Sequence, residues 1–318
     1  MPGKASGAHR LPILLLTGPT GAGKTDLAIQ LAEAAPVEIV SVDSAMVYRG
    51  LDVGTAKPAL QVRARIPHHL IDICDAAESY SAGRFVSDAL ETIGAIHARG
   101  RVPLLVGGTM LYLRSLLDGL ADLPEAHPEL RRDLDTRAAR AGWPALHAEL
   151  ARLDPAAAAR IAPNDAQRIQ RALEVWHATG QPISELQRAT VSPLAPFDVR
   201  YWMLNPPDRA VLHERLARRL DTMMAGGFLD EVRRLRDRGD LTAAHSSMRA
   251  VGYRQLWGHL EGHYDLPEAG RRALAATRQL AKRQLTWMRG ETRGVWLDPA
   301  SGLSWNRDIC NALTALGF

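Results

Sequence analysis

Ile13-Leu14-Leu15-Leu16-Thr17 runs straight into Gly18-Pro19-Thr20-Gly21-Ala22-Gly23-Lys24-Thr25, and that junction decides the fold. Four consecutive aliphatic residues make a strand-sized run with no polar face, so the strand is buried on both sides. A helical pattern follows in Leu27, Leu31 and Ala34. The eight residues between fit the phosphate-binding loop Gly-x4-Gly-Lys-Ser/Thr, in the strand–loop–helix setting it requires. Its glycines let backbone N–H groups wrap a phosphate, and the helix N-terminus adds its positive end. Lys24 supplies a point charge and the Thr25 hydroxyl can ligate Mg²⁺. The spacing predicts a site for a polyphosphate or a diphosphate and leaves open which.

Outward from this junction, residues 37–42 and 102–106 read as two more buried strands, separated by an amphipathic helix over 81–99 with Phe85, Leu90, Ile93 and Ile96 near one face. Strands alternating with helices predict an α/β fold, a doubly wound and mostly parallel sheet. After about Asp118 the character changes to Ala- and Arg-rich helices, with Pro124, Pro128, Pro144, Pro155, Pro163 and Pro182 near their starts. Residues 199–204 return to the sheet, and helices over 207–225, 228–238, 250–260 and 267–289 follow. The expected organisation is a core of 1–118 and 196–318 with a helical insertion of 119–195.

The chain has 318 residues, with 39 Lys and Arg against 35 Asp and Glu, a net charge of +4. At 46% hydrophobic and 23% charged it is globular rather than disordered. No apolar run is long enough for a membrane helix, and the tail 1–10 lacks the apolar stretch of a secretory signal. Cys74 and Cys310 make neither a metal spacing nor a disulfide framework, which fits a reducing cytoplasm. Among the basic residues only Lys4, Lys24, Lys57 and Lys282 are lysines. Three of these sit inside recognisable motifs, as expected of lysines that resist a drift to arginine because their chemistry is required.

Asp43 ends the second strand. A carboxylate there can hold Mg²⁺, act as a general base beside the phosphate site, or merely cap the next turn. Thr109 follows Gly107-Gly108 at the same carboxyl edge of the sheet, where open α/β sheets bind ligands; taken alone it reads as a helix N-cap. Asp165-Ala166-Gln167-Arg168-Ile169-Gln170-Arg171 opens a helix with Gln167 and Arg171 one turn apart. On the last long helix Arg278, Lys282 and Arg289 form a basic stripe opposite Leu274, Ala281, Leu285 and Met288. Arg215 and Arg219 are one turn apart on another helix. Arg249-Ala250-Val251-Gly252-Tyr253-Arg254 combines two arginines, a flexible glycine and an aromatic, a backbone-and-stacking surface for RNA. His68-His69 reads as structural rather than metal-binding.

Taken together, GPTGAGKT (18–25), VDSAMVYRGLDVGTAKP (42–58), PHHLIDI (67–73), VGGTMLYLRSLLDGL (106–120), PNDAQRIQRALEVW (163–176), MRAVGYRQLW (248–257) and ATRQLAKRQLTWMRG (276–290) resemble the bacterial tRNA dimethylallyltransferases, in the same order and over residues 11–296. The resemblance implies a P-loop NTPase-like core. It also implies transfer of a dimethylallyl group from dimethylallyl diphosphate to the exocyclic amine of the adenosine just 3′ of a tRNA anticodon. Lys24, the loop amides and Mg²⁺ on Thr25 would neutralise the departing diphosphate. Asp43 would orient the amine and take its proton, Thr109 would contact the adenosine, and Arg219 would help hold the diphosphate. The adenosine has to leave its stack to reach the sheet edge. Asp43-Ser44-Ala45-Met46, Arg131, Gln167–Arg171, Arg249–Arg254, Lys282, Arg283 and Arg289 would line the RNA path, with the insertion clamping the anticodon stem-loop. A monomer suits such an embrace.

Two other readings compete. A nucleoside or small-molecule kinase would put ATP in the loop and use Asp43 as base, but has little use for Gln/Arg helices and a basic C-terminal face. A nucleotide-gated RNA-binding module would bind RNA in an ATP-dependent way and leave no product on it.

Overall fold

A computed structural model describes residues 10–298, apart from 126, 189, 206 and 207, and also Thr314. Lys4, Cys310 and nearly all of the N-terminal tail lie outside the described residues. The chain forms two compact units, residues 1–117 with 193–318 and residues 118–192.

The larger unit begins with β1 (Pro12–Thr17), α1 (Lys24–Ala34), β2 (Val37–Val42), α2 (Leu60–Arg65), a two-residue β3 (His68–His69), α3 (Ala82–Ala98), β4 (Val102–Gly107) and α4 (Met110–Asp118). The sheet is parallel throughout the described residues, in the order β3-β2-β4-β1-β5-β6. β1 is therefore central, and its six residues are all buried. Side chains alternate across a strand. Ile13 and Leu15 accordingly enter a core with Phe85, Ile93, Leu113 and Met203, while Leu14 and Leu16 enter another with Leu27, Leu31 and Leu104. A sheet with a core on each face is the doubly wound arrangement expected from the alternation of strands and helices and from the uninterrupted aliphatic run, and it agrees with the P-loop NTPase-like core that the resemblance implies.

The smaller unit contains α5 (Pro128–Ala141), α6 (Trp143–Leu153), α7 (Pro155–Ala158), α8 (Ala166–Thr179) and α9 (Ile183–Leu186) around Leu134, Leu150, Ile169 and Leu173. Pro128, Pro144 and Pro155 stand in first turns, where a missing N–H costs nothing. Asp165 caps α8 by accepting from the Arg168 amide.

The larger unit resumes with β5 (Asp198–Leu204), α10 (Arg209–Ala225), α11 (Phe228–Asp237), a 3₁₀ turn (Ser247–Arg249), α12 (Tyr253–Leu260), α13 (Leu266–Gly290) and β6 (Val295–Leu297). The helix expected over 250–260 starts only at Tyr253, because Gly252 (φ 92°) turns the chain. β3 and β6 are too short to leave a period in the sequence. No helix among the described residues is long and apolar enough to cross a membrane.

Candidate active site

The carboxyl ends of β1, β2 and β4 lie side by side, so three loops leave the sheet together: Gly18–Gly23, the turn after Val42, and Gly108-Thr109. In the first, Gly21 (φ 80°) and Gly23 (φ 92°) adopt left-handed backbone, and Gly23 is the N-cap of α1. A Cβ on Gly21 would also come 2.8 Å from Leu216 of α10. Lys24 folds its ammonium back onto the loop, donating to the carbonyls of Gly18 (2.8 Å) and Pro19 (2.9 Å). Desolvation, helped by the neighbouring Arg219 guanidinium and opposed by Asp43, brings its pKa down to about 8.

That shift has a sign that can be tested. An anion seated on the loop favours the ammonium, so the bound-state pKa lies above the free-state value near 8. Diphosphate binding then takes up a proton in that interval. Compared with Lys24→Met, in which the ionisation of the ligand itself is unchanged, the affinity advantage of the wild-type protein for inorganic diphosphate is expected to shrink above about pH 8, by up to tenfold per unit. Titration calorimetry in two buffers of different ionisation enthalpy reads the proton uptake directly. The same proton uptake in wild type and Lys24→Met at about pH 8.5 would remove Lys24 from the anion site.

Asp43 stands one residue beyond β2. Its Oδ1 accepts from the Ala45 (2.8 Å) and Met46 (3.2 Å) amides, closing a short Asx turn, while Oδ2 takes no hydrogen bond among the described residues. The capping role is thus real, and one oxygen is still available to a substrate. Thr109 is not a side-chain N-cap. Its Oγ1 accepts from the Ser44 amide (3.0 Å) and donates to Ser44 Oγ (3.3 Å), which ties the second loop to the third. Gly107 is required because a Cβ there would lie 2.1 Å from the Val42 carbonyl oxygen.

The three loops open on one cavity of about 900 Å³. α10 presents Arg215, Leu216, Arg219, Leu220 and Met223 to it, a face with guanidinium groups near apolar side chains. Arg219 donates to the Thr55 carbonyl (3.3 Å), and burial lowers its pKa while Asp43 opposes the shift. Thr20, Gly21, Gly23, Lys24, Thr25, Asp43, Ser44, Ala45, Met46, Thr109 and Arg219, all singled out from sequence, line this one space. So do Arg249, Ala250, Val251, Gly252 and Arg283. Met110, Leu216, Leu220, Met223, Phe228 and Trp287 supply apolar wall, enough for a five-carbon chain.

Some expectations need correction. Tyr253 borders the same cavity, but it offers no open ring face for stacking: it is fully buried, edge-on to Phe228, and its hydroxyl donates to Glu231 (2.5 Å). Ile169 is no RNA contact either, because it sits at 0% exposure on the core face of α8. A helix that opens a basic surface must still bury one side, and Ile169 is on it. Gln167 and Arg168 are exposed. Arg131 and Arg171 are both held by the buried Glu174, at 2.8 and 2.7 Å, and Arg171 also donates to the Pro124 carbonyl. Lys282, Arg254 and Arg289 are exposed. Lys57 proves to be a buried tie rather than a ligand group, donating to the Tyr48 carbonyl, Asp52 and Asp72. His68 and His69 contact the Ile66 carbonyl and Glu38.

Glu231 has no signal in the sequence pattern, and Gln284, although it lies within the quoted stretch 276–290, has none that points to its partners. Glu231 is 3% exposed and accepts from the amides of Asp52, Val53 and Gly54 as well as from Tyr253. It thereby holds the cavity wall that leads to Thr55 and Arg219. Glu231→Ala strands three backbone donors and a phenol, each worth about 1–3 kcal/mol when left unsatisfied. Partial rehydration of the loop offsets some of this, so we expect about 3–5 kcal/mol less stability in urea unfolding. A loss below about 1 kcal/mol would mean that the 52–54 turn stands without the carboxylate.

Set beside known proteins, the chain matches the IPP transferase family over residues 46–291 and the isopentenyl transferase family over residues 11–66. It is 60% identical to the tRNA dimethylallyltransferase of Alkalilimnicola ehrlichii over 91% of each chain, and 56% identical to that of Methylococcus capsulatus over 94% of this chain and 96% of the other. Among solved structures it is similar to the tRNA isopentenylpyrophosphate transferase of Bacillus halodurans, with 38% identity, a TM-score of 0.65, and coverage of 91% of this chain and 90% of that one. A eukaryotic dimethylallyltransferase acting on tRNA aligns with a TM-score of 0.78 at 28% identity, over 96% of this chain and 80% of its own. A phosphate loop, a strand-end carboxylate and an apolar wall meeting in one cavity, with matches of this extent along the whole core, lead to one conclusion: the chain belongs to the tRNA dimethylallyltransferase family.

Proposed function

We propose that this protein transfers the dimethylallyl group of dimethylallyl diphosphate to the exocyclic amine of the adenosine 3′-adjacent to a tRNA anticodon, giving N6-dimethylallyladenosine and diphosphate. The observation that carries the reading is the shared cavity, with a phosphate loop at one wall, Asp43 and Thr109 at the next, and a five-carbon-sized apolar surface between. Lys24, Arg219 and the loop amides hold the diphosphate and neutralise it as the allylic C–O bond breaks. The apolar wall shields the allylic carbon, which gains cationic character, from water. Asp43 Oδ2 accepts from the amine, orients its nitrogen toward that carbon, and takes the proton displaced when the C–N bond forms. Thr109 holds the Ser44 amide in place beside it.

The residues fit a magnesium ion. Thr25 Oγ1 stands on the cavity wall, free of hydrogen bonds among the described residues, beside Asp26. No group of three His, Cys, Asp or Glu among the described residues could hold a metal alone, so diphosphate and water would complete a hard-oxygen shell. The ion would supply extra neutralisation of the leaving group. ATP, which the same loop could hold, is not needed for this reaction.

The RNA contacts we assign are Asp43–Met46, Arg249–Arg254 (Tyr253 excepted), Lys282, Arg283 and Arg289 in the larger unit, and Arg131, Gln167, Arg168, Gln170 and Arg171 in the smaller. The last-named unit would grip the anticodon stem-loop. A monomer working in the cytoplasm suits this role.

One incubation tests the reading. Protein, dimethylallyl diphosphate, Mg²⁺ and unmodified bulk tRNA are combined, and the nucleosides are then analysed by mass. We expect one C5H8 unit on adenosine, absent when the diphosphate is replaced by ATP. No gain on RNA, with ATP consumed in favour of another acceptor, would return the loop to kinase chemistry. ATP-dependent RNA binding with no product would support the gated RNA-binding module.

A further inference from the structure

We propose that Gln284 is a positioning residue of the transfer reaction, acting as a side-chain peptide group that sets the spacing between the diphosphate loop and the Thr109 loop. The inference rests on the transferase reading of the cavity.

The backbone ladder explains why such a group is needed. β1 and β4 pair in register as far as Thr17 opposite Gly107, reinforced by Thr17 Oγ1 donating to the Gly107 carbonyl at 3.0 Å. Beyond that rung both chains leave the sheet as loops. One carries the phosphate site and the other Thr109, and no backbone hydrogen bond among the described residues joins them. Gln284 of α13 supplies the missing rung. Its Oε1 accepts from the Thr20 amide at 2.9 Å, and its Nε2 donates to the Gly108 carbonyl at 2.7 Å.

Only a long carboxamide can do both. A carboxylate has no proton for the Gly108 carbonyl, an ammonium has no acceptor for the Thr20 amide, and Asn is one methylene short. The site is built around this group. Gln284 is buried on a helix whose neighbours Lys282 and Arg283 are exposed, and a Cβ on Gly108 would lie 2.6 Å from its Nε2. That contact explains the second glycine of Gly107-Gly108. Donor carbon and acceptor nitrogen are held by different loops, so their approach depends on this tie. A misplacement of about 1 Å can lower a rate about a hundredfold.

The test uses Gln284→Leu, nearly isosteric and without either hydrogen bond, and Gln284→Glu. In steady state with both substrates, Gln284→Leu is expected to lose about tenfold to a hundredfold in kcat. Its KM for the diphosphate donor and its tRNA Kd stay within about threefold, which a general loss of folded protein would not produce. Gln284→Glu carries a pH signature. As a carboxylate it opposes the Gly108 carbonyl, but protonated it regains one donor and one acceptor. Its deficit relative to wild type should therefore shrink as the pH falls from about 8 to about 6. Hydrogen exchange at the Thr20 amide gives a readout independent of chemistry, and should accelerate in Gln284→Leu.

A Leu variant within twofold of wild-type kcat, a loss confined to KM or Kd, or a Glu deficit constant with pH would each overturn the proposal. If wild type itself transfers nothing, the functional reading falls, and unchanged Thr20 exchange in Gln284→Leu would then overturn the positioning role as well.

Discussion

Asp43→Asn is expected to lower kcat by about a thousandfold while leaving the diphosphate and tRNA affinities within about threefold, since a positioned general base contributes about 10² to 10⁴. The choice of Asn comes from the geometry. Asp43 Oδ1 holds the Ala45 and Met46 amides, and an amide oxygen can accept the same two bonds. The turn that aims the residue therefore survives, and so does its place on the cavity wall. What is lost is Oδ2, with its charge and its capacity to take a proton from the adenosine amine. Asp43→Ala would lose the turn as well and could not separate the two roles. Single-turnover rates with both substrates saturating, alongside tRNA binding by filter retention, check the split. A kcat within tenfold of wild type would reduce Asp43 to the turn-closing residue that its Oδ1 already makes it.

Lys24→Met should cost about as much by another route. Removing one preorganised charge or donor from a developing anion costs about 10²- to 10³-fold in rate. The leaving diphosphate faces Lys24 and Arg219 together, so we expect a loss in kcat/KM for the donor near the top of that range. Stability should move the other way. In the free protein the ammonium is desolvated, beside another cation, and bonded only to the Gly18 and Pro19 carbonyls among the described residues. Replacing it with a flexible apolar side chain removes that penalty, so the melting temperature should hold or rise. Lys24→Arg should not rescue activity, because a planar guanidinium cannot occupy the place of a compact ammonium under the loop. Donor kinetics and thermal unfolding of the same preparations check both halves. Normal kcat/KM in Lys24→Met would place the diphosphate elsewhere in the cavity.

The same contrast between local and distant partners runs through the whole chain. Local periodicity sufficed for local features. The all-aliphatic Ile13–Leu16 run is a doubly covered strand, as its lack of a polar face predicts, and the spacing of Gly18–Thr25 predicts a backbone cradle for phosphate. Asp43 and Thr109 were legible because strand ends in a parallel sheet share one edge, so knowing the strands locates the residues just beyond them. Short segments were not legible. β3 and β6 exist because β2 and β5 offer unpaired edges, not because His68-His69 or Val295–Leu297 carry a strand period. Which way a residue faces was equally hidden where the backbone turns. Tyr253 comes after a glycine at φ 92° and points into the core, although its arginine neighbours suggest a surface.

Four of the six strands, the Gly-rich loop, the strand-end carboxylate and the family are all legible in local pattern and motif. Which groups hold these parts at working distance emerges from long-range contacts in the folded chain. Glu231 meets Asp52–Gly54 from nearly 180 residues away, and Gln284 meets Thr20 and Gly108 across the whole core. A Glu and a Gln on helices carry no pattern that distinguishes them from solvated neighbours. Their roles come from burial opposite unpaired backbone groups, a relation that exists only once the chain has folded.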